Sequence, residues 1–203
     1  IIQSPTTLIT DFLAVGGIGP TFINVALIGF FNIYLLRRFK MRINGLLIAA
    51  FFTVMGFSFF GKNIVNILPI YFGGYLYAKH QKIEAKNILL VIMFSTALSP
   101  MVSEITFGGI FQDGFNYVMG IAVGTLIGFV IVPLSSHMLK FHDGYNLYNI
   151  GFTAGILGTG LASLLRNFNI EVKAVNLLHT SNKLPIILMF YALFIDRKST
   201  RLN

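Results

Sequence analysis

The sequence predicts an all-α fold, a polytopic transmembrane helical bundle with about seven hydrophobic segments, some of them re-entrant half-helices. The first observation is composition: 55% of the residues are hydrophobic and only 11% are charged, whereas about 25% of a soluble domain is charged. The second is a series of runs without Asp, Glu, Lys or Arg, most of which approach the roughly 20 residues that a helix needs to cross a bilayer. These runs are 12–36, 43–61, 63–78, 87–103, 114–139, 144–165 and 184–195.

The third observation is where the basic residues lie. The net charge of +8 would fit a nucleic-acid partner, but the basic residues concentrate between the apolar runs, as the positive-inside rule describes. The clusters at 37–42 and 79–86 are separated by two apolar runs, so both can lie on the cytoplasmic side. We therefore expect a protein of the bacterial cytoplasmic membrane, with the lipid bilayer as a partner and no nucleic acid. The region 166–183 would lie outside, as a mild violation of the rule.

The first run is interrupted near its start. Residues 16–20 read GGIGP, and proline has no N–H to donate into a helix, while its ring clashes one turn back. We expect a half-helix over 5–15, a break, and a full span over 20–36. A similar segment, 99–109, begins with SP and ends with GG. The glycine-rich run 144–165 forms either one tightly packed helix or two halves around an unwound point.

The other runs are expected to be ordinary spans. The runs 43–61 and 63–78 follow each other with only Lys62 between them, and 87–103 and 114–139 come next. Within the latter, glycines recur every fourth residue, which lets helix backbones approach closely and indicates a packing role. They are Gly120, Gly124 and Gly128, and the pair Gly151 and Gly155 has the same spacing.

Short sequence echoes indicate an internal repeat. The letters SP are followed by an acidic residue and then GGI in both 4–18 and 99–110. The pattern Gly-x4-Asn also occurs at 19–24 and at 144–149. Chance recurrence in a glycine-rich membrane protein is the alternative.

We expect a single transmembrane domain over 1–195, with repeat 1 at 4–98 and repeat 2 at 99–195. The tail 196–203 reads DRKSTRLN, which resembles a translated sequencing adapter, and it is expected to be non-native. The chain is accordingly expected to be a fragment of a longer protein.

Duplicated halves with broken helices are typical of transporters, in which half-helix ends meet a solute at the bilayer midplane. Irregular backbone is tolerated at that depth only when it is buried in protein or lines a watery cavity. We therefore expect a transporter or channel that passes a small polar solute across the cytoplasmic membrane. The expected solute path is lined by Gly16, Gly17, Gly19, Asn24, Lys62, Asn66, Gly144, Asn146, Asn149 and Gly151.

Three stretches carry a resemblance to a known family. SPTTLITDFLAVGGIGPTFINVALIG, FFGKNIVNILPIYFGGYLYAK and DGYNLYNIGFTAGILG are similar to an uncharacterised bacterial family of polytopic membrane proteins, a domain of unknown function, over nearly all of 1–195. A looser similarity is to urea transporters, which also have duplicated halves and half-spanning helices. Gly144-Tyr145-Asn146 followed by Gly151 resembles their Gly-aromatic-Asn stretch. Their aromatic solute-slot signature has no counterpart, so the similarity implies a channel-like architecture rather than urea as the solute.

Lys62 is the only charged residue between positions 43 and 78. A charge inside a span is costly and by default functional, so Lys62 would face the solute or an ion-pair partner. Asp11 and Glu104 could be that partner or carry a coupled proton. The alternatives are a surface turn from which Lys62 reaches water, solvated acids at the membrane boundary, and a helix-capping role for Asp11.

Asn24, Asn146 and Asn149 offer uncharged amides, which suit a neutral polar solute or bonds between helices. No catalytic or phosphate-binding motif is present, so we expect neither an enzyme nor a cofactor. His137 and His142 are poorly spaced for a metal. A membrane enzyme acting on a lipid or prenyl substrate, with Asp143 beside these histidines, is one alternative, and a non-catalytic membrane subunit is another. Homo-oligomerisation stays open.

Overall fold

A computed structural model describes residues 1–4, 10–110, 114–143, 145, 148–167, 184, 187–189 and 191–192. In these residues the chain is helical, and its one strand-like feature is an isolated antiparallel bridge between Asp11 and Phe60. Two 3-10 segments lie at Ala85–Asn87 and Thr96–Leu98. The α-helices are α1 (Phe12–Gly16), α2 (Ile18–Arg38), α3 (Gly45–Phe57), α4 (Ile64–His80), α5 (Leu89–Ser95), α6 (Ser99–Phe107), α7 (Phe115–Phe141) and α8 (Asn149–Asn167).

Among the residues that the structure describes, three helical stretches are long and apolar enough to cross a membrane. They are α2 with 21 residues, the continuous stretch Leu89–Phe107 with 19, and α7 with 27. Their length and composition indicate a membrane protein. The side chains that α2 and α7 expose are large and apolar, as the lipid-facing surface of a span requires; they include Ile23, Leu27, Phe30, Val118, Ile121 and Leu126.

The expected count of seven segments is not confirmed. Among the described helices, α3 has 13 residues and α4 has 17, which correspond to about 20 Å and 26 Å of helix at 1.5 Å per residue. Both fall short of the roughly 30 Å of a hydrocarbon core. The run 144–165 forms α8 from Asn149 onward, and half of 184–195 lies outside the described residues.

The break predicted at 16–20 is present. α1 ends at Gly16 and α2 begins at Ile18. Between them Gly17 has a φ of +74°, a left-handed conformation that glycine adopts without strain. Pro20 lies in the first turn of α2, where the backbone N–H groups have no helical partner in any case.

The half-helix expected over 5–15 is shorter in the described residues and begins only at Phe12. Asp11 is extended rather than helical, because it pairs with Phe60 in the isolated bridge. Its carboxylate Oδ1 accepts a hydrogen bond of 2.9 Å from the N–H of Leu13. Asp11 is therefore the N-cap of α1, as one of its sequence interpretations proposed, and residues 5–9 lie outside the described part.

The segment expected over 99–109 is not a separate half-helix. It continues α5 through the 3-10 turn Thr96–Leu98, so that Leu89–Phe107 forms one interrupted span. The interruption follows from Pro100, which has no N–H to donate to the carbonyl of Thr96 one turn back. The N–H of Ser99 donates to that carbonyl instead. Glu104, expected near a loop, consequently lies inside α6.

The internal repeat is not confirmed either. α1 has five residues and is separated from α2 by Gly17. Its proposed counterpart α6 has nine residues and is joined directly to the helical turn before it. The two segments share short motifs, but the helices that they form differ because only the second has a preceding helix to extend.

The core is built around the contact between α4 and α7, and glycines make that contact close. A Cβ on Gly73 would overlap the carbonyl of Thr125, and one on Gly128 would overlap the carbonyl of Ile70. A Cβ on Gly124 would press on Pro69. The packing role predicted for Gly120, Gly124 and Gly128 is confirmed, since a Cβ on Gly120 would overlap Thr106 on α6. The same role is not confirmed for Gly151 and Gly155: among the described residues, a Cβ on Gly155 would meet nothing within 4 Å, and one on Gly151 would meet only Tyr148 of its own segment.

Candidate functional site: a buried polar cluster around Lys62

The loop between α3 and α4, residues 58–63, lies inside the protein although it is not helical. Ser58 and Asn63 are fully buried, and Lys62 is 3% exposed. α3, with 13 residues, is too short to cross a bilayer core by itself. Buried backbone that is not helical must find hydrogen-bond partners within the protein.

Side chains and backbone from α2, α4 and α1 supply those partners. The Nδ2 of Asn24 donates to the carbonyl of Ser58 (2.9 Å) and to the carbonyl of Lys62 (2.8 Å). The Nδ2 of Asn66 donates to the carbonyl of Gly61 (2.8 Å). The N–H of Phe12 donates to the carbonyl of Phe59 (3.0 Å). Four carbonyls of one buried loop are thus satisfied.

Asn63 and Asn66 together start α4. The Oδ1 of Asn63 accepts from the N–H groups of Val65 (3.0 Å) and Asn66 (2.9 Å). The Oδ1 of Asn66 accepts in return from the N–H of Asn63 (2.9 Å). This reciprocal capping box fixes the N-terminus of α4 directly after Lys62.

The Lys62 ammonium turns inward. Its Nζ donates to the Oγ1 of Thr96 at 2.8 Å and lies 5.2 Å from the centroid of the Phe57 ring. Thr96 is close to the middle of the Leu89–Phe107 span. The interpretation in which Lys62 reaches water from a surface turn does not fit this burial, although Phe60 in the same loop is exposed.

The predicted ion pair of Lys62 with Asp11 or Glu104 is not formed. Within the described part of the chain, the one ion pair with an N–O distance below 4.0 Å is between Lys86 and Glu84, at the surface. Asp11 caps α1, and Glu104 lies on α6 about 80° around the helix axis from Thr96, counting 100° per residue. Lys62 therefore lies opposite a neutral hydroxyl rather than a carboxylate.

Three buried hydroxyl residues form one face of the Leu89–Phe107 span. Thr96, Ser99 and Ser103 follow one another at intervals of three and four residues, and all three are fully buried. The Oγ1 of Thr96 accepts a hydrogen bond from the ammonium of Lys62. The Oγ of Ser103 accepts one from the Nδ2 of Asn66 at 2.8 Å. Ser99 lies between these two contacts.

Two polar atoms of this cluster have no partner. They are the Nδ2 of Asn63 and the Oγ of Ser99. A buried polar group without a partner costs about 1–3 kcal/mol, so a folded protein retains one for a reason. Both atoms can bind a polar molecule that enters the cluster. We call the cluster the Lys62 cluster; its members are Asn24, Ser58, Lys62, Asn63, Asn66, Thr96, Ser99 and Ser103.

The sequence predicted three members of the Lys62 cluster, Asn24, Lys62 and Asn66, and the structure brings them together. The sequence did not predict the hydroxyl residues of the Leu89–Phe107 span as members. The signal that could have found them is their spacing, since Thr96, Ser99 and Ser103 mark one polar stripe in an otherwise apolar run.

Other predicted path residues lie elsewhere. The Nδ2 of Asn149 donates to the carbonyl of Ser135 (3.0 Å), and its Oδ1 is 2.9 Å from the Nε2 of His142. Asn149 thus joins the start of α8 to the end of α7. Gly16 and Gly17 form the break between α1 and α2, Gly19 and Gly151 are exposed, and Gly144 and Asn146 lie outside the described residues.

The described residues contain no group of three or more His, Cys, Asp or Glu side chains that could hold a metal. His142 contacts Asn149 and stacks edge-to-face on Phe152. The chemistry that the Lys62 cluster offers is therefore recognition by a charge and hydrogen bonds.

A comparison with protein families gives a match to the family model described as "Protein of unknown function (DUF1576)", over residues 1–167. This range includes the whole Lys62 cluster, and it confirms the resemblance to an uncharacterised family. No curated protein and no solved structure matches the chain.

Proposed function

We propose that this chain, which belongs to the family Protein of unknown function (DUF1576), is a multi-pass protein of the bacterial cytoplasmic membrane. Its proposed role is to pass a small polar solute, as a transporter or channel. The observation that carries this proposal is the Lys62 ammonium, held near the middle of a membrane-length helix by a neutral hydroxyl. A charge at that depth is costly, and such residues mark solute and ion pathways.

The helix that faces Lys62 supports the same proposal. The Leu89–Phe107 span changes from α-helix to 3-10 helix at Thr96–Leu98, the point that the ammonium contacts. A short 3-10 stretch in the middle of a helix often marks a hinge. A hinge beside a buried charge gives the protein a place where a path can open and close.

A non-catalytic membrane subunit is a second candidate. It is favoured by the two hydrogen bonds from Asn24 to the loop and by the capping box of α4, because these bonds join protein groups to one another. In that case the Lys62 cluster is a dry structural core, and Lys62 serves to fix one arrangement of the helices.

The sequence allows a direct test, because it contains no cysteine. Ser99→Cys and, as a matched control on the same helix, Val102→Cys are made in membrane vesicles and treated with a small, membrane-impermeant thiol reagent. Ser99 belongs to the Lys62 cluster, whereas Val102 is buried among apolar residues. We expect Ser99→Cys to react at least tenfold faster than Val102→Cys.

Solute passage is measured on the purified protein in liposomes, with urea, acetamide, glycerol, chloride and acetate as solutes and protein-free liposomes as the control. Entry of any of these above the control supports the proposal. Protection of both cysteines, together with no entry of any solute, would favour the subunit.

A further inference from the structure

The Lys62 cluster has one charged member, and that charge is positive. The other members are amides and hydroxyls. No carboxylate within the described ranges lies within 4.0 Å of the Lys62 Nζ. A buried cation is stable only when it is paired or well hydrogen-bonded. An ammonium has three N–H donors, and in this structure the Nζ of Lys62 bonds to Thr96 alone.

The polar atoms that stay available in the cluster are mainly donors. The amide oxygens of Asn63 and Asn66 accept the backbone N–H groups that start α4. The Nδ2 of Asn63 has no partner, and neither has the Oγ of Ser99, which can also donate. A neutral amide solute would need acceptors as well as donors, and of the three amide oxygens of the cluster only that of Asn24 is not already bonded to the start of α4. An excess of donors instead suits a ligand that only accepts.

The N-terminus of α4 adds to the positive potential. This helix of 17 residues begins at Ile64, two positions after Lys62, and the N-terminal end of a helix dipole favours negative charge. The helix end and the Lys62 ammonium thus both favour negative charge in the cluster. Asn63, which has the unpartnered Nδ2, is the N-cap of this helix.

We infer that the Lys62 cluster binds a small anion, which contacts the ammonium of Lys62, the side-chain amide of Asn63 and the hydroxyl of Ser99. The inference rests on the proposed function and names its solute class: a monovalent inorganic anion or a short monocarboxylate. The anion must be small because Asn63, Ser99 and Ser103 are fully buried in packed surroundings. Charge-assisted hydrogen bonds of the ammonium would provide most of the affinity.

The test uses the full chain in liposomes and measures entry of labelled chloride and labelled acetate, with gluconate as a bulky anion. We expect chloride or acetate to enter and gluconate to be excluded. Lys62→Gln should lower entry about tenfold or more, the effect of losing a charged hydrogen bond. Lys79→Gln, at the exposed end of the same helix, should stay within twofold of the wild type. Measuring chloride entry and acetate entry separately shows whether the solute is an inorganic anion or a carboxylate.

Folding is checked by the helical circular dichroism of each variant. Ser99→Ala is a second variant, because it removes a hydroxyl that bonds nothing in the protein and should lower anion entry without loss of structure. Anion entry that is unchanged in both Lys62→Gln and Ser99→Ala would overturn the inference. Entry of urea, acetamide or glycerol without any anion would also overturn it but leave the proposed function standing. No entry of any solute would contradict both.

Discussion

At the scale of single residues, the side-chain amide of Asn24 does the most to hold the buried loop. One nitrogen donates to two carbonyls, those of Ser58 and Lys62, which lie at the two ends of the loop. Both carbonyls are in the protein interior, where water does not replace a lost donor. The position of Lys62 therefore depends on a neutral residue of a different helix.

We predict that Asn24→Ala lowers stability by about 2–6 kcal/mol, since two buried carbonyls lose a donor at about 1–3 kcal/mol each. The control is Asn87→Ala, which changes an exposed asparagine and should have almost no effect. The measurement is the thermal midpoint of the helical circular dichroism signal in detergent. Equal midpoints for the two variants would show that the loop does not depend on Asn24.

The hydroxyl residues explain why the sequence revealed only part of the site. Thr96 and Ser95 donate to carbonyls of their own helix, Met93 and Ile92 respectively, and this is what most hydroxyls in apolar helices do. The pattern of letters does not show that Thr96 accepts a lysine at the same time. Lys62, in contrast, was conspicuous because it is the lone charge in a long apolar stretch.

At the scale of helices, the central feature is the interrupted span Leu89–Phe107. Pro100 causes the interruption, since it has no N–H for the carbonyl of Thr96, which then bonds to Ser99. The sequence predicted that Ser99-Pro100 begins a helix. It did not predict that α5 precedes it without a gap, because proline is equally common at the first turn of an independent helix.

We predict that Pro100→Ala converts Thr96–Leu98 into regular α-helix and slows solute entry severalfold, with stability unchanged or raised, since proline is up to about 3 kcal/mol worse than alanine inside a helix. Solute entry into liposomes and amide hydrogen exchange of residues 96–98 measure the two effects. The matched control is Pro133→Ala, which changes a proline inside α7. If Pro100→Ala leaves both entry and exchange at wild-type values, the 3-10 turn is not a hinge.

At the scale of the whole molecule, the basic residues and the Lys62 cluster lie at opposite ends of α4. The helix begins beside Lys62 and ends with Lys79 and His80. α2 also ends in basic residues, Arg37 and Arg38. If the proposed function holds, the positive-inside rule predicts that these two helix ends face the cytoplasm together, with the loop 58–63 in the opposite half of the bilayer.

This orientation predicts which membrane side each loop faces. Ile43→Cys and Gln81→Cys lie in the two basic loops, are exposed and keep every charge. Both should react with an impermeant thiol reagent in inside-out vesicles and not in right-side-out vesicles. Gln3→Cys, at the other end of α2, should react in the reverse way. Labelling of Ile43→Cys and Gln81→Cys from different sides would contradict the return of α3 and α4 to the same side of the membrane.

The overall class of the fold was predictable from the sequence, whereas the number of crossings was not. Long uncharged runs indicate membrane helices because charges are costly in lipid, and α2 and α7 match such runs. The length of an uncharged run overestimates the length of the helix where the run includes a buried loop that is itself uncharged. Residues 58–61 were part of an apparent span, yet they are non-helical and depend on partners from α1, α2 and α4.

The way in which Asn24 closes the loop also determines how the protein can move. A nitrogen that joins Ser58 to Lys62 makes the loop a closed ring, and the N–H of Phe12 joins that ring to α1. These hydrogen bonds join α1, α2 and the loop to one another. Opposite the loop and the start of α4 stands the Leu89–Phe107 span, and the hydrogen bonds to it are side chain to side chain: Lys62 to Thr96 and Asn66 to Ser103. We expect the molecule to open between the loop and this span, because only these two side-chain hydrogen bonds would break there. The hydrogen bonds that hold the loop to α1 and α2 would remain.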